Sequence, residues 1–208
     1  MDRRGRVPDN EAWIWDLVDL AAAQAAQNRA GMDAAFERLV AAGRQDEVEE
    51  ALLQSYLFLG FPAAIESLRR WRALRPEPPA AAAGDWREWR GRGEEVCATI
   101  YGSAYRRLRE NIARFHPDLD DWMVVEGYGK VLGRPGLELR VREMLIVAML
   151  VVTGPPGRRQ LRSHLQGTLN AGATPAQVEA VIRRAARFAD PEGIELANKL
   201  WSNLRATS

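Results

Sequence analysis

Cysteine is almost missing from this 208-residue chain. Only Cys97 is present, which excludes an intramolecular disulfide, a CxxC redox pair and a zinc site built from cysteines. Histidine is nearly as scarce: His116 and His164 stand far apart in sequence, so no metal site is expected. An excess of one charge is also lacking, because 29 Lys and Arg offset 28 Asp and Glu for a net charge of +1. A chain without a basic surplus is a poor general binder of nucleic acid or anionic membranes, so neither is expected as a partner. The longest apolar run, Met144 to Val152, has nine residues, about half of the ~20 that span a bilayer. The opening MDRRGRVPDNEAW lacks the apolar stretch of a secretory signal. These absences lead to the expectation of a soluble, cytoplasmic chain. HExxH, GxSxG and a glycine-rich phosphate loop after a strand are missing as well.

What is present is helical. With 47% hydrophobic and 27% charged residues, the chain can bury a sizeable core. Asp9 is placed to cap a helix from Asn10 to Arg29, with Trp13, Leu17, Leu20 and Ala21 at helical spacing. A second helix, Met32 to Ala42, ends at Gly43. Asp46 followed by Glu49 predicts a capping box for a third, which stops at Gly60, and Pro62 suits the start of a fourth ending at Leu74. RPEPPAAAAG (75–84) then reads as a linker. Beyond it the pattern predicts a helix from Glu94 to Arg114, a mixed segment from Asp118 to Gly136, and a buried helix from Glu138 to Thr153. A turn at 154–157, a helix from Arg158 to Ala171, and two helices opened by Thr174-Pro175 and Asp190-Pro191 follow. No segment shows strand alternation with hairpin turns, so the fold class expected is all-α.

The chain also resembles itself. Residues 41–67 can be laid on 170–196, placing Gly43 on Gly172, Val48 on Val178, Glu49 on Glu179, Phe58 on Phe188 and Pro62 on Pro191. Amphipathic helices matching by chance share periodicity without also keeping glycine caps and proline starts in step. The expectation is an internal duplication, with two related helical halves packed about a pseudo-twofold axis. Residues 1–75 form a degenerate first half, 76–93 the linker and 94–208 the second half, within one compact unit.

Few side chains are equipped for chemistry. His116, before a proline, reads as a polar residue at a helix end, and Cys97 as a buried, inert thiol. His164 lies beside the apolar stripe of Leu161, Leu165 and Leu169. It is either a core-edge histidine or a functional one. Glu143, at the start of the preceding helix, can orient an imidazole, and the neighbouring Arg142 can grip a carboxylate through two hydrogen bonds.

Gly129-Lys130-Val131-Leu132-Gly133-Arg134-Pro135-Gly136-Leu137, then Arg142-Glu143, then QLRSHLQGTLNAGATPAQVEAVI (160–182) resemble the carboxymuconolactone decarboxylase family. The family's closing Tyr-x-Gly-x-Pro-Ala-Ala segment is weak in the second half and stands in the first, across Tyr56 to Ala64. The resemblance implies an alkylhydroperoxidase-like helical bundle, a homo-oligomer (a trimer for a fused chain of this length) and no cofactor. The CxxC pair of the thiol peroxidase relatives is lacking, since Gly157, Arg158 and Arg159 stand in that region, and thiol peroxidase chemistry is not expected.

Two functions follow from the resemblance. One is a cofactor-free lyase that decarboxylates a small carboxylated lactone or related anionic organic acid. His164 would be its general acid/base, Glu143 would orient His164, and Arg142, Arg162, Tyr56 and Phe61 would bind substrate. The other is a catalytically decayed member that serves as an oligomeric binding or structural module. A single composite site, with Tyr56 and Phe61 meeting His164 across the pseudo-twofold, is the simplest account of the divided motif.

Overall fold

A computed structural model describes residues 11–81 and 84–206. Asp9 and Asn10, expected at the start of the first helix, lie outside the described residues. Among those described, every regular element is helical and none is a strand. The all-α, alkylhydroperoxidase-like architecture is built around α8 (Leu139–Thr153), in which eleven successive residues from Val141 to Val151 are buried. A helix buried on every side, here with Arg142 and Glu143 among its apolar residues, must be surrounded. The helices packed most closely on α8 are α1 (Ala12–Ala25), α9 (Arg158–Asn170), α10 (Pro175–Ala185) and α11 (Pro191–Ala206). Helix α1 brings the best apolar match, with Leu17, Val18, Leu20 and Ala22 essentially inaccessible.

Several boundaries differ from the sequence expectation, each for a local reason. Helix α3 (Gln45–Gln54) has no side-chain cap, so the predicted Asp46–Glu49 box does not form and Asp46 sits in the first turn. It ends at Ser55, before Gly60, and the chain bends by 116° into α4 (Tyr56–Leu74). Buried Ser55 donates its hydroxyl to the Leu52 carbonyl (2.7 Å) and accepts from Gln24 Nε2 (2.8 Å), which fixes the elbow. Gly60, at φ 78°, then kinks α4 just before Pro62. Beyond the linker, α5 (Trp86–Tyr101) starts at Trp86 rather than Glu94, because Asp85 caps it through the Arg87 and Glu88 amides. The expected single helix to Arg114 breaks at Gly102 (φ 53°), after which α6 (Tyr105–Phe115) begins.

The mixed segment resolves into α7 (Pro117–Trp122) and a π-helical stretch, Met123–Leu132. His116 closes α6, its amide donating to the Ile112 carbonyl (3.0 Å), and also caps α7, its Nδ1 accepting from the Asp118 amide (3.1 Å). The π-helical stretch lies against α5 through glycines on both sides. A Cβ on Gly93 would run into the Val124 carbonyl, and one on Gly129 into the Trp89 carbonyl.

Helices α1, α2 (Arg29–Ala41), α3 and α4 follow one another in the first part of the chain, as α8 to α11 do in the last. Gly43, after α2, and Gly172, after α9, both take left-handed backbone (φ 69° and 97°). Glu49 accepts from Trp71 Nε1 and binds Arg72, while Glu179 accepts from Trp201 Nε1 and binds Arg205.

Gly129→Ala is expected to lower stability by about 3 kcal/mol, because backbone on both helices must move to admit one methyl group. Chemical denaturation monitored by circular dichroism measures the loss, and Gly91→Ala, with open space around its Cβ position, is the control.

Candidate functional site

Helices α8 and α9 lie side by side and bring Glu143 and His164 together. The imidazole Nδ1–H donates to Glu143 Oε2 at 2.8 Å. Glu143 is wholly inaccessible and His164 is 3% exposed. The approach depends on Gly167, one turn beyond the histidine: a Cβ there would stand 2.8 Å from Glu143 Oε2 and 2.7 Å from Ile100 of α5. The His-x-x-Gly spacing thus has a packing reason. With Nδ1 engaged, Nε2 is the free nitrogen. It makes no hydrogen bond among the described residues, yet it is not one of the sealed, unpaired buried atoms there, which are Trp15 Nε1, Arg142 Nε and Glu143 Oε1.

Glu143 also faces a group of buried acids. Desolvation pushes the Cys97 thiol and the Tyr101 hydroxyl up to about 12, and the Glu143 charge adds to both shifts. Tyr128, in the π-helical stretch, is raised well above its ordinary value for the same reasons and donates to the Tyr101 hydroxyl at 2.9 Å. All three groups are therefore neutral near pH 7.

Arg142 is placed differently from the expected substrate clamp. Its side chain is completely buried, and its Nη2 donates to Glu50 Oε2 (2.7 Å) and to the carbonyls of Arg134 (3.0 Å) and Pro135 (3.2 Å). Nη1 donates to Gln54 Oε1 (3.1 Å), and Gln54 Nε2 returns a bond to the Arg142 carbonyl (3.2 Å). Glu50 in turn accepts from Arg134 Nε through both its oxygens, at 3.0 Å. Arg142 therefore holds the Arg134-Pro135-Gly136 turn to α3 and has only Nε unpaired. The expectation overlooked that a buried arginine recruits its carboxylate from within the protein. Glu50 and Gln54 carried no local signal, since they lie 92 and 88 residues from Arg142.

Arg162 is exposed and two residues from His164 on the same helix. Positions i and i+2 point in nearly opposite directions, so it does not share the histidine's surroundings. Tyr56 and Phe61 stack on each other with ring centroids 4.7 Å apart, and Phe61 is 65% exposed. Burial and the Glu126 charge raise the Tyr56 pKa. Among the described residues, no hydrogen bond or ring contact joins either of them to His164. The contact comes from their neighbour Phe58, whose ring meets the imidazole edge-on at 5.3 Å. Phe58 was visible in the sequence only as the partner of Phe188 in the internal match. Phe188 has a related placement, since its ring would lie 2.8 Å from a Cβ at Gly31 on α2.

A buried Glu–His pair on two adjacent core helices of an all-α bundle, closed by an arginine-braced turn, marks a class of small helical proteins, and the comparisons say which. The pattern described as the carboxymuconolactone decarboxylase family matches residues 117–199, the stretch that holds Glu143 and His164. Peroxisomal protein 2 of Schizosaccharomyces pombe is 32% identical over 155 residues, covering 72% of this chain and 71% of that protein. A 4-carboxymuconolactone decarboxylase of Acinetobacter baylyi is 29% identical over 98 residues, 47% of this chain and 72% of that one. The chain belongs to the carboxymuconolactone decarboxylase family.

Glu50→Ala strands the buried Arg142 charge and is expected to cost about 3–5 kcal/mol in a denaturation titration. Breaking the exposed Arg69–Glu66 pair with Arg69→Ala should cost less than about 1 kcal/mol. Cys97, inaccessible and with its pKa pushed up to about 12, should not react with a disulfide-exchange reagent at pH 8 until the chain is unfolded. One equivalent of thiol then appears.

Proposed function

We propose that this chain is a cofactor-free lyase of the decarboxylase type acting on a small carboxylated lactone or related organic acid. The observation that carries the reading is the 2.8 Å bond between His164 Nδ1 and Glu143 Oε2 in a buried setting. Held by the carboxylate, the imidazole can carry a proton on Nε2 as the imidazolium. When the bond to the departing carboxylate breaks, its electron pair spreads into the conjugated carbonyl system, and carbon must be protonated. His164 Nε2 is the donor, and its positive charge faces the anionic substrate, a role that Arg142 cannot fill while bound to Glu50. Phe58 is the apolar wall. The decarboxylase relative in Acinetobacter baylyi supports the reaction class.

The proposal extends to organisation. We take α1–α4 and α8–α11 as products of an internal duplication, supported by the repeated glycine turns and Trp–Glu–Arg contacts, with 1–75 and 94–208 as the halves. Only the second keeps a histidine, since Ala34 and Ala35 stand at the corresponding place in the first. Self-association of the chain is part of the reading, supported by large exposed apolar side chains such as Phe61, Phe115 and Trp122. No single helix among the described residues is long and apolar enough to cross a membrane. A cytoplasmic location belongs to the proposal, and the peroxisomal relative makes that organelle its rival.

The 3% exposure of His164 under Phe58 favours a second reading, a decayed site in a binding or structural module. Turnover of 4-carboxymuconolactone followed by ultraviolet absorbance and NMR separates the two. His164→Ala should reduce kcat by about 10²–10⁴-fold, with Glu143→Gln lowering it less. No turnover by the unaltered protein supports the second reading, and full activity in His164→Ala overturns the assignment of the histidine.

A further inference from the structure

One cavity lies away from His164. It is a groove of about 650 Å³ between the α1–α2 connection and α4, with Met32 at its base. Three features of its lining point to a ligand. The first is Gln24, whose side chain reaches the groove although the residue is only 3% exposed. Its Nε2 donates to Ser55 Oγ at 2.8 Å, which settles the orientation of the amide. Its Oε1 accepts no hydrogen bond among the described residues and is absent from the sealed, unpaired buried atoms, so it opens onto the groove. A nearly buried acceptor in that position calls for a donor from outside.

The second is the backbone of Gln27. Its φ of 52° makes it the sole non-glycine residue in the left-handed region among those described. It closes α1 with the bonds Gln27 N to Gln24 O and Asn28 N to Ala23 O, a turn for which glycine is the usual choice. At the ends of α2 and α9 that choice is made, with Gly43 and Gly172. A side chain kept where glycine would be less strained, on the edge of a cavity, points to a use for that side chain.

The third is charge. Arg70 is engaged by Asp33 and Arg69 by Glu66, whereas Arg29 forms no ion pair among the described residues. A guanidinium at the rim and an amide oxygen at the inner end specify an anion at one end of the ligand and a hydrogen-bond donor at the other.

We propose that this groove binds a small hydroxycarboxylic acid, with its carboxylate on Arg29, its hydroxyl donated to Gln24 Oε1 and the Gln27 amide alongside. The site is separate from Glu143 and His164 and does not depend on the lyase reading. The test uses L-malate and succinate, which differ by one hydroxyl, titrated into the full chain and followed by side-chain amide NMR. Malate should shift the Gln24 and Gln27 amide signals to saturation in the millimolar range. Succinate should bind at least tenfold more weakly, because it lacks the hydroxyl that would donate to Gln24 Oε1.

Arg29→Ala should weaken malate at least tenfold. Gln27→Gly should raise Tm, by relieving the left-handed glutamine, while weakening malate. Binding should be unchanged in His164→Ala, which keeps this result independent of any loss of turnover. No saturable shift with malate, equal binding of the two acids, or a Gln27→Gly protein that binds malate as before would each overturn the proposal.

Discussion

The buried pair of Arg142 and Glu50 is the interaction on which the rest of the architecture depends. It ties α3, α8 and the turn before α8 at one point, and through Gln54 it reaches the residue before the Ser55 elbow. A guanidinium without solvent contact is tolerable only with such a set of acceptors, and removing one partner costs far more than the pair contributes over an apolar substitute. In a chain with a single thiol, this knot does the work of a cross-link without any redox chemistry. It therefore holds equally in a reducing or an oxidising compartment, which matters when the relatives include a peroxisomal protein.

The site is built by subtraction as much as by placement. Gly167 lacks a side chain so that the Glu143 carboxylate and Ile100 can both press against α9. Gly93 and Gly129 do the same for α5 and the π-helical stretch, bringing Tyr101 and Tyr128 into the field of Glu143. The result is a buried region where one carboxylate is held by one imidazole and the surrounding acids are kept neutral.

Elements governed by local chemistry could be read from the sequence. The Thr174–Gln177 capping box, the proline starts at Pro175 and Pro191 and the buried α8 all lie where the residue pattern puts them. The Glu143–His164 pairing was also anticipated, from a carboxylate and an imidazole on successive helices and from the family resemblance. What could not be read depended on partners distant in sequence. Ser55 breaks a helix because Gln24 reaches it from α1, and Arg142 is occupied because Glu50 and Gln54 come to it from α3. Phe58 meets His164 only after the chain has bent by 116°. The π-helical turn around Tyr128 belongs with these, since its glycines signal flexibility in sequence and close helix contact in the fold.

The edge-on contact between Phe58 and His164 joins opposite ends of the chain. The segment that carries the family pattern, 117–199, supplies the acid–base pair, while the ring that closes it is drawn from the preceding half. Excision of that segment would leave the imidazole without its cover. A break in the chain between Phe58 and residue 117 would leave the Glu143–His164 pair on one fragment and the ring that packs on it on the other.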